Sequence, residues 1–202
     1  RYLLTNTGQE DARSASLELS GQWTSGRLTL AGGATASIAQ ASAANRGFGP
    51  LENDELALGE LFTNPNAATY ARGRLFVDRG FTIKLRGLYH LPWDVRLGAI
   101  ARYQDGQAFA RVLVFPTLQQ GPDFVRAFVN GDSRFTFTGT LDLRVQKGFR
   151  LGDRRVDVIV DGFNVLNLQY EVEERTATQP DVRPPTALQP PAAVHVGLRL
   201  TF

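Results

Sequence analysis

The sequence predicts an all-β chain whose strands run antiparallel in a sheet with one apolar and one polar face. Three observations carry this. Apolar and polar residues alternate with period two in stretch after stretch, which sends successive side chains to opposite faces of a strand. Short turns and long connections alternate along the chain from the turn around Ser25-Gly26 onward. Aromatic residues gather at the ends of the alternating stretches.

Arg1-Tyr2-Leu3-Leu4-Thr5 opens the chain as if within a strand, and the polar turn Thr7-Gly8-Gln9-Glu10-Asp11 follows. Ala15, Leu17, Leu19, Gly21 and Trp23 then alternate with Ser14, Ser16, Glu18, Ser20 and Gln22. The turn at Ser25-Gly26 returns the chain into Leu28, Leu30, Gly32, Ala34, Ala36 and Ile38, set against Arg27, Thr29, Gly33, Thr35 and Ser37. Residues 39 to about 79 break the pattern, being rich in Gly, Asn, Ala and Pro. They form a long loop with an acidic patch (Glu52, Asp54, Glu55, Glu60) and room for a short helix over residues 55–62.

Alternation resumes with Phe81, Ile83, Leu85, Gly87, Tyr89 and Leu91 against Thr82, Lys84, Arg86 and His90. After a tight turn at Pro92-Trp93-Asp94, Val95, Leu97, Ala99, Ala101 and Tyr103 oppose Arg96, Gly98, Arg102 and Gln104. A second long loop covers roughly residues 105 to 134. Phe135, Phe137, Gly139, Leu141, Leu143 and Val145 follow, against Thr136, Thr138, Thr140, Asp142, Arg144 and Gln146. Beyond Gly152-Asp153 come Val156, Val158, Val160 and Gly162 against Asp157 and Asp161, with Ile159 an exception. The third long loop carries Pro180, Pro184, Pro185, Pro190 and Pro191. The chain closes on Val194, Val196, Leu198, Leu200 and Phe202, alternating with His195, Gly197, Arg199 and Thr201.

Gly152-Asp153 reads as a two-residue hairpin loop, which fixes a register. Leu151 then pairs with Arg154, Phe149 with Val156, Lys147 with Val158 and Val145 with Val160, all on the apolar side, so the register agrees with the alternation on both strands. The same register sets Arg144 opposite Asp161 on the polar side.

Composition narrows the function classes. The 202 residues suit one domain or a piece of a larger one, and residues 1–202 are taken as one unit. Hydrophobic residues make up 43%, but no run approaches the roughly 18 that a membrane helix needs. The slightly negative mean hydropathy resembles that of a soluble protein, yet a strand with a polar second face dilutes hydropathy in the same way. Cysteine is absent, which removes disulfides and thiolate metal sites. His90 and His195 lie far apart and give no metal-ligand spacing, and no cofactor is expected. A net charge of +2, from 22 basic and 20 acidic residues, is too balanced for a nucleic-acid partner. With no Met, no leader segment and an opening in mid-strand, the chain reads as a fragment, and the lack of a leader is no argument for the cytoplasm.

A soluble β-sandwich explains the alternation and the charged second face, but it has no reason to alternate long and short connections. A bilayer-spanning barrel does, because its periplasmic turns are short and its outer loops long. Trp23, Trp93, Phe149 and Phe202 fall at the short-turn end, while Phe81, Tyr103 and Phe135 or Phe137 fall at the other. Two such aromatic belts flanking strands of about ten residues suit a membrane-crossing sheet. The expectation is therefore a segment of an antiparallel transmembrane β-barrel in the outer membrane, with lipid against its apolar face.

Asp161-Gly162-Phe163-Asn164-Val165-Leu166-Asn167 resembles a "D-x-F-N-(V/L)-(L/F)-N" segment found near the end of one family. Leu141-Asp142-Leu143-Arg144-Val145-Gln146-Lys147-Gly148-Phe149 resembles that family's preceding strand. Asp78-Arg79 with Phe81, Tyr89-His90-Leu91-Pro92 with Leu97-Gly98, and Asp105-Gly106-Gln107-Ala108-Phe109 resemble an earlier hairpin and its flanks. Ser16-Leu17-Glu18-Leu19 matches a "G-(L/V)-E" element with Ser in place of Gly. By these segments the chain resembles the C-terminal barrel portion of TonB-dependent outer-membrane receptors, especially the Oar-like branch with an N-terminal carboxypeptidase-regulatory-like domain.

The resemblance implies a barrel of about 22 strands, of which these residues supply the last seven or eight. It also implies a plug domain and TonB box upstream, with TonB a partner through that part. The function implied is energised uptake of a scarce nutrient: an iron chelate, cobalamin, a glycan or a peptide. Val194, Val196, Leu198, Leu200 and Phe202 would be the signal that the barrel-assembly machinery reads. Two alternatives stand beside it. One is a self-contained barrel of about eight strands with a structural or adhesive role, the other a soluble β-sandwich binding module. Small inward residues (Ser14, Ser16, Ser20, Gly33, Gly98, Gly148, Gly197) fill a narrow barrel poorly and favour the wide one.

No group of residues looks catalytic, and the chain is read as no enzyme. Asp157 and Asp161 share a strand face in an arginine-rich neighbourhood, which suits lumen ion pairs better than acid–base work, and Arg144–Asp161 is the specific pair expected. His90 and His195 suit lumen hydrogen bonding. The acidic patch is a solvated loop face, with cation binding the sharper alternative. Asn164 and Asn167 stand where a strand runs out and should satisfy loose backbone groups. Lys147 lies on the lipid side near the short-turn end, where its stem can snorkel.

Overall fold

Period-two alternation becomes strand along most of the stretches that the structure, a computed structural model, describes. Described are residues 13–42, 69–70, 72–75, 78–119, 121, 123–129, 131–174 and 184–202. The opening strand, the acidic patch and the expected short helix lie outside these residues.

The strands are β1 (Arg13–Ser25), β2 (Leu28–Ser42), β3 (Arg72–Arg74), β4 (Phe81–Leu91), β5 (Val95–Gln104), β6 (Ala108–Phe109) and β7 (Val112–Phe115). They continue with β8 (Asp123–Arg126), β9 (Ser133–Arg134), β10 (Thr138–Leu151), β11 (Arg154–Phe163), β12 (Glu171–Glu174), β13 (Pro185–Leu188) and β14 (Ala193–Thr201). No helix occurs among the described residues. The main sheet has eight strands in the order β1-β2-β4-β5-β10-β11-β14, with β3 paired to β2. All its pairs are antiparallel, and among the described residues the sheet is open, with β1 and β14 at its edges.

Since successive long strands are antiparallel neighbours, every short turn lies at one end of the sheet and every long connection at the other. The β10–β11 register is the one the Gly152-Asp153 turn predicts, with Leu151 opposite Arg154 and Arg144 opposite Asp161. The first hairpin differs by one residue: Ser25 pairs with Leu28, so Gly26-Arg27 is the central pair. Gly26 and Gly152 each hold a positive φ (54° and 61°) as first residue of their loops, the position where a type II′ turn requires glycine.

The apolar face is continuous. One rung runs Trp23, Leu30, Gly87, Ala99, Leu143, Gly162, Val194, with each member directly opposite the next. Paired residues in an antiparallel ladder share a face, so the expected apolar sets join into a single surface. That surface has no layer packed on it among the described residues: Leu19, Leu85 and Leu198 are 66%, 55% and 71% exposed. The rung is also oblique. It crosses β1 near its short-turn end and β14 near its long-connection end, so the strands are staggered as well as paired.

The long connections depart from expectation, because they are not plain loops. Within residues 105–134, β6 pairs with β9 and β7 with β8, while β12 and β13 form a ribbon in the third connection. Strand β10 begins at Thr138, not at Phe135. Phe135 turns inward and stacks on Phe109, ring centroids 4.7 Å apart and planes 12° from parallel, while Phe137 stays at the strand's end 5.3 Å from Tyr103. Backbone packing causes the departure: Phe135 N donates to Gln107 O at 3.0 Å, and a Cβ at Gly106 would run into the Phe135 carbonyl. The fully buried apolar side chains (Ala41, Ala108, Phe109, Ala110, Val112, Phe135) all lie in this cap or where β2 meets it.

Candidate functional site

The polar face carries the candidate site, and the strand ladder positions its charges. Arg144 and Asp161 sit directly opposite on β10 and β11 and form a two-pronged ion pair. Arg144 Nε donates to Asp161 Oδ1 at 2.5 Å and Nη2 to Oδ2 at 2.8 Å. Such fork-on-fork geometry fixes the orientation of both groups. His195, opposite Asp161 on β14, brings Nδ1 to 3.9 Å from the same carboxylate.

Asp157 and Asp161 do not form a carboxylate pair, since each has its own arginine. Arg155 Nε donates to Asp157 at 2.9 Å, and its Nη2 reaches across the turn to Asp94 at 2.8 Å. Gly148 makes room for this bridge, because a Cβ there would strike both Asp94 and Arg155. In the turn, the hydrogen bond from Arg155 holds the Asp94 carboxyl below the usual carboxylate range, against the opposing pull of desolvation. Trp93 and Asp94 both have positive φ (61° and 58°), a conformation that non-glycine residues rarely take. Their carbonyls are tied to β10: Gly148 N donates to Asp94 O at 3.0 Å, and Lys147 Nζ donates to Trp93 O. Lys147 thus turns its head to the short-turn edge and also lies 5.5 Å from the Phe149 ring.

Asn164 and Asn167 stitch backbone together. Both have positive φ (44° and 50°), ending β11 abruptly. Asn164 Nδ2 donates to Leu168 O (3.0 Å) and Pro190 O (2.8 Å), while its Oδ1 accepts from Leu168 N (3.3 Å). Asn167 Oδ1 accepts from Ala192 N at 3.0 Å. Asp142 completes the knot, accepting from Asn164 N and from Arg102 Nη1, each at 2.9 Å.

The terminal strand β14 lies at a sheet edge with its apolar side chains outward: Val194, Val196, Leu198, Leu200 and Phe202 are all exposed, Phe202 by 87%. Arg154 lies 5.6 Å over the Phe202 ring. His90 and His195 are on different strands separated by three others in the sheet order. Among the described residues no group of three His, Cys, Asp or Glu side chains converges.

Three features were invisible in the sequence. Asp78 is fully buried beneath the cap, paired to Arg134 and 3.6 Å from Arg74, and accepts from Ala39 N at 3.0 Å. Arg134 also donates to the Asp78 and Gly106 carbonyls at 2.8 and 3.1 Å. Leu88 and Ile100 stand on the polar face, opposite Gly98 and Arg86. In the sequence each of these last two passes for a lapse in the alternation at a polar-face position, as Ile159 does.

No family model and no curated protein matches this chain.

Proposed function

We propose that this chain is the C-terminal barrel portion of a TonB-dependent outer-membrane receptor, taking part in energised uptake of a scarce nutrient. The observation that carries the reading is the staggered sheet with one apolar face across seven strands that no described residue covers. A contiguous exposed apolar surface that crosses seven strands needs an apolar environment, and strands tilted in a barrel need stagger of this kind. Short turns at one end and long, partly folded connections at the other support the same reading. Among the described residues β1 and β14 each pair on one side only, which favours a segment of a wide barrel over a small closed one, since no strand edge survives unpaired in a bilayer. A β-sandwich would lay a second sheet on the apolar face, and no described residue does so. The Asn164–Asn167 knot supports the motif resemblance, for it gives those asparagines a structural task where the family has its motif. In this reading the polar face lines the lumen, lipid meets the other face, and Val194 to Phe202 form the strand read at assembly.

The test is deletion of Phe202 from the full-length protein. Its level in the outer membrane should fall and its insertion should slow, while the Arg144–Asp161 pair is untouched. Insertion at the unaltered rate would overturn the reading of β14 as an assembly signal.

A further inference from the structure

We propose that Lys84, Arg86 and Arg102, with Leu88 and Ile100 beside them, form a binding site for a small organic anion: a carboxylate or phosphate carried on an apolar body. Lys84 and Arg102 are directly opposite on β4 and β5, an arrangement in which like charges repel. Arg86 stands one rung further on the same face. Elsewhere on this face Arg144 and Arg155 are each matched to a carboxylate. Here a single carboxylate, Asp142, serves Arg102 at 2.9 Å, and Lys84 and Arg86 have no acidic partner among the described residues. Three cations thus share one carboxylate, and the positive charge left over is there for an incoming anion to balance.

The surroundings leave room for one. Lys84 is flanked on β2 by Gly33, which in turn faces Ser20, and Arg86 is flanked by Ala31. These small residues open a shallow hollow of 550 Å³ over the cations. Thr140, directly across from Arg102, has a buried hydroxyl oxygen with no hydrogen-bond partner. Leu88 and Ile100, 40% and 39% exposed, interrupt the polar face at the hollow's edge and line an adjoining hollow of 530 Å³. Guanidinium forks suit a carboxylate or phosphate head, and the exposed aliphatic pair suits an apolar body next to it. That the anion is transported cargo rests on the uptake reading; the site itself does not.

The experiment is calorimetric titration of the full chain, in neutral detergent, with phenyl phosphate and with inorganic phosphate. Phenyl phosphate should bind more tightly than inorganic phosphate. Lys84→Gln with Arg86→Gln should weaken both about tenfold or more, and Ile100→Ser should weaken phenyl phosphate alone. Lys84→Arg should retain binding, which guards against mere misfolding. Arg96→Gln, removing a cation further along the same face, should change neither. Equal affinity for the two phosphates, an unaffected double variant, or an equal loss in Arg96→Gln would each overturn the proposal. Outer-membrane insertion is measured separately, so the site and the uptake reading can fail independently.

Discussion

Phe109 and Phe202 show how differently two regions of this molecule treat the same side chain. Phe109 is 3% exposed, stacked on Phe135 inside the cap, whereas Phe202 is 87% exposed at the end of the sheet. The cap folds as soluble proteins do: it buries aromatics, satisfies a fully buried Asp78 with arginines, and bends its backbone round close glycines. The sheet has a complete backbone ladder and no interior. Its apolar side chains can leave water only if something outside the described residues covers them, so the two regions draw stability from different sources.

Three experiments measure that difference. Phe109→Ala should cost the cap about 3–5 kcal/mol, the usual price of emptying a packed aromatic site. Hydrogen exchange should quicken at Gln107 and Phe135 and stay slow along β10 and β11; uniform loss of protection would mean that cap and sheet are a single unit. Leu143→Arg should cost about 2–4 kcal/mol for folding into lipid vesicles, and Thr140→Arg much less, because in the proposed reading the first side chain meets the bilayer and the second the polar face. Equal tolerance of the two would erase the distinction between the faces. The smallest effect is at the Arg144–Asp161 pair. A double-mutant cycle through Arg144→Gln and Asp161→Asn should return a coupling of about 0.2–1 kcal/mol, since Arg144 remains half exposed to water. A much larger coupling would place the pair in a dry interior, as in the cap.

The sheet was legible because its information is local. Side-chain alternation sets the face, and a two-residue turn at Gly152-Asp153 sets the register, so the sequence alone places Arg144 opposite Asp161. The cap was not legible because its contacts join distant residues without period. Asp78 meets Arg134 across 56 positions and Phe81 N meets Asp105 across 24, and neither spacing leaves a repeating mark. Phe135 misled for a related reason: it extends the alternation of β10 backward, yet tertiary packing at Gly106 withdraws it from the strand. The basic block at Lys84, Arg86 and Arg102 reads as polar positions in the sequence, but that three cations share the single carboxylate of Asp142 depends on which strands are neighbours.

The asparagine knot has a consequence for how the chain can change. Asn164 grips Pro190, and Asn167 grips Ala192, so the excursion between β11 and β14 is closed at its base by side-chain bonds to backbone. The last strand is thereby delivered next to β11 already in position to pair, and the entropy of bringing it there depends weakly on how much chain lies between. Doubling such a loop costs only about 0.6 kcal/mol. The segment beyond the knot is therefore free to lengthen, shorten or change in composition while the register of β14 stays fixed, which makes this connection the natural place for descendants of the sequence to diverge.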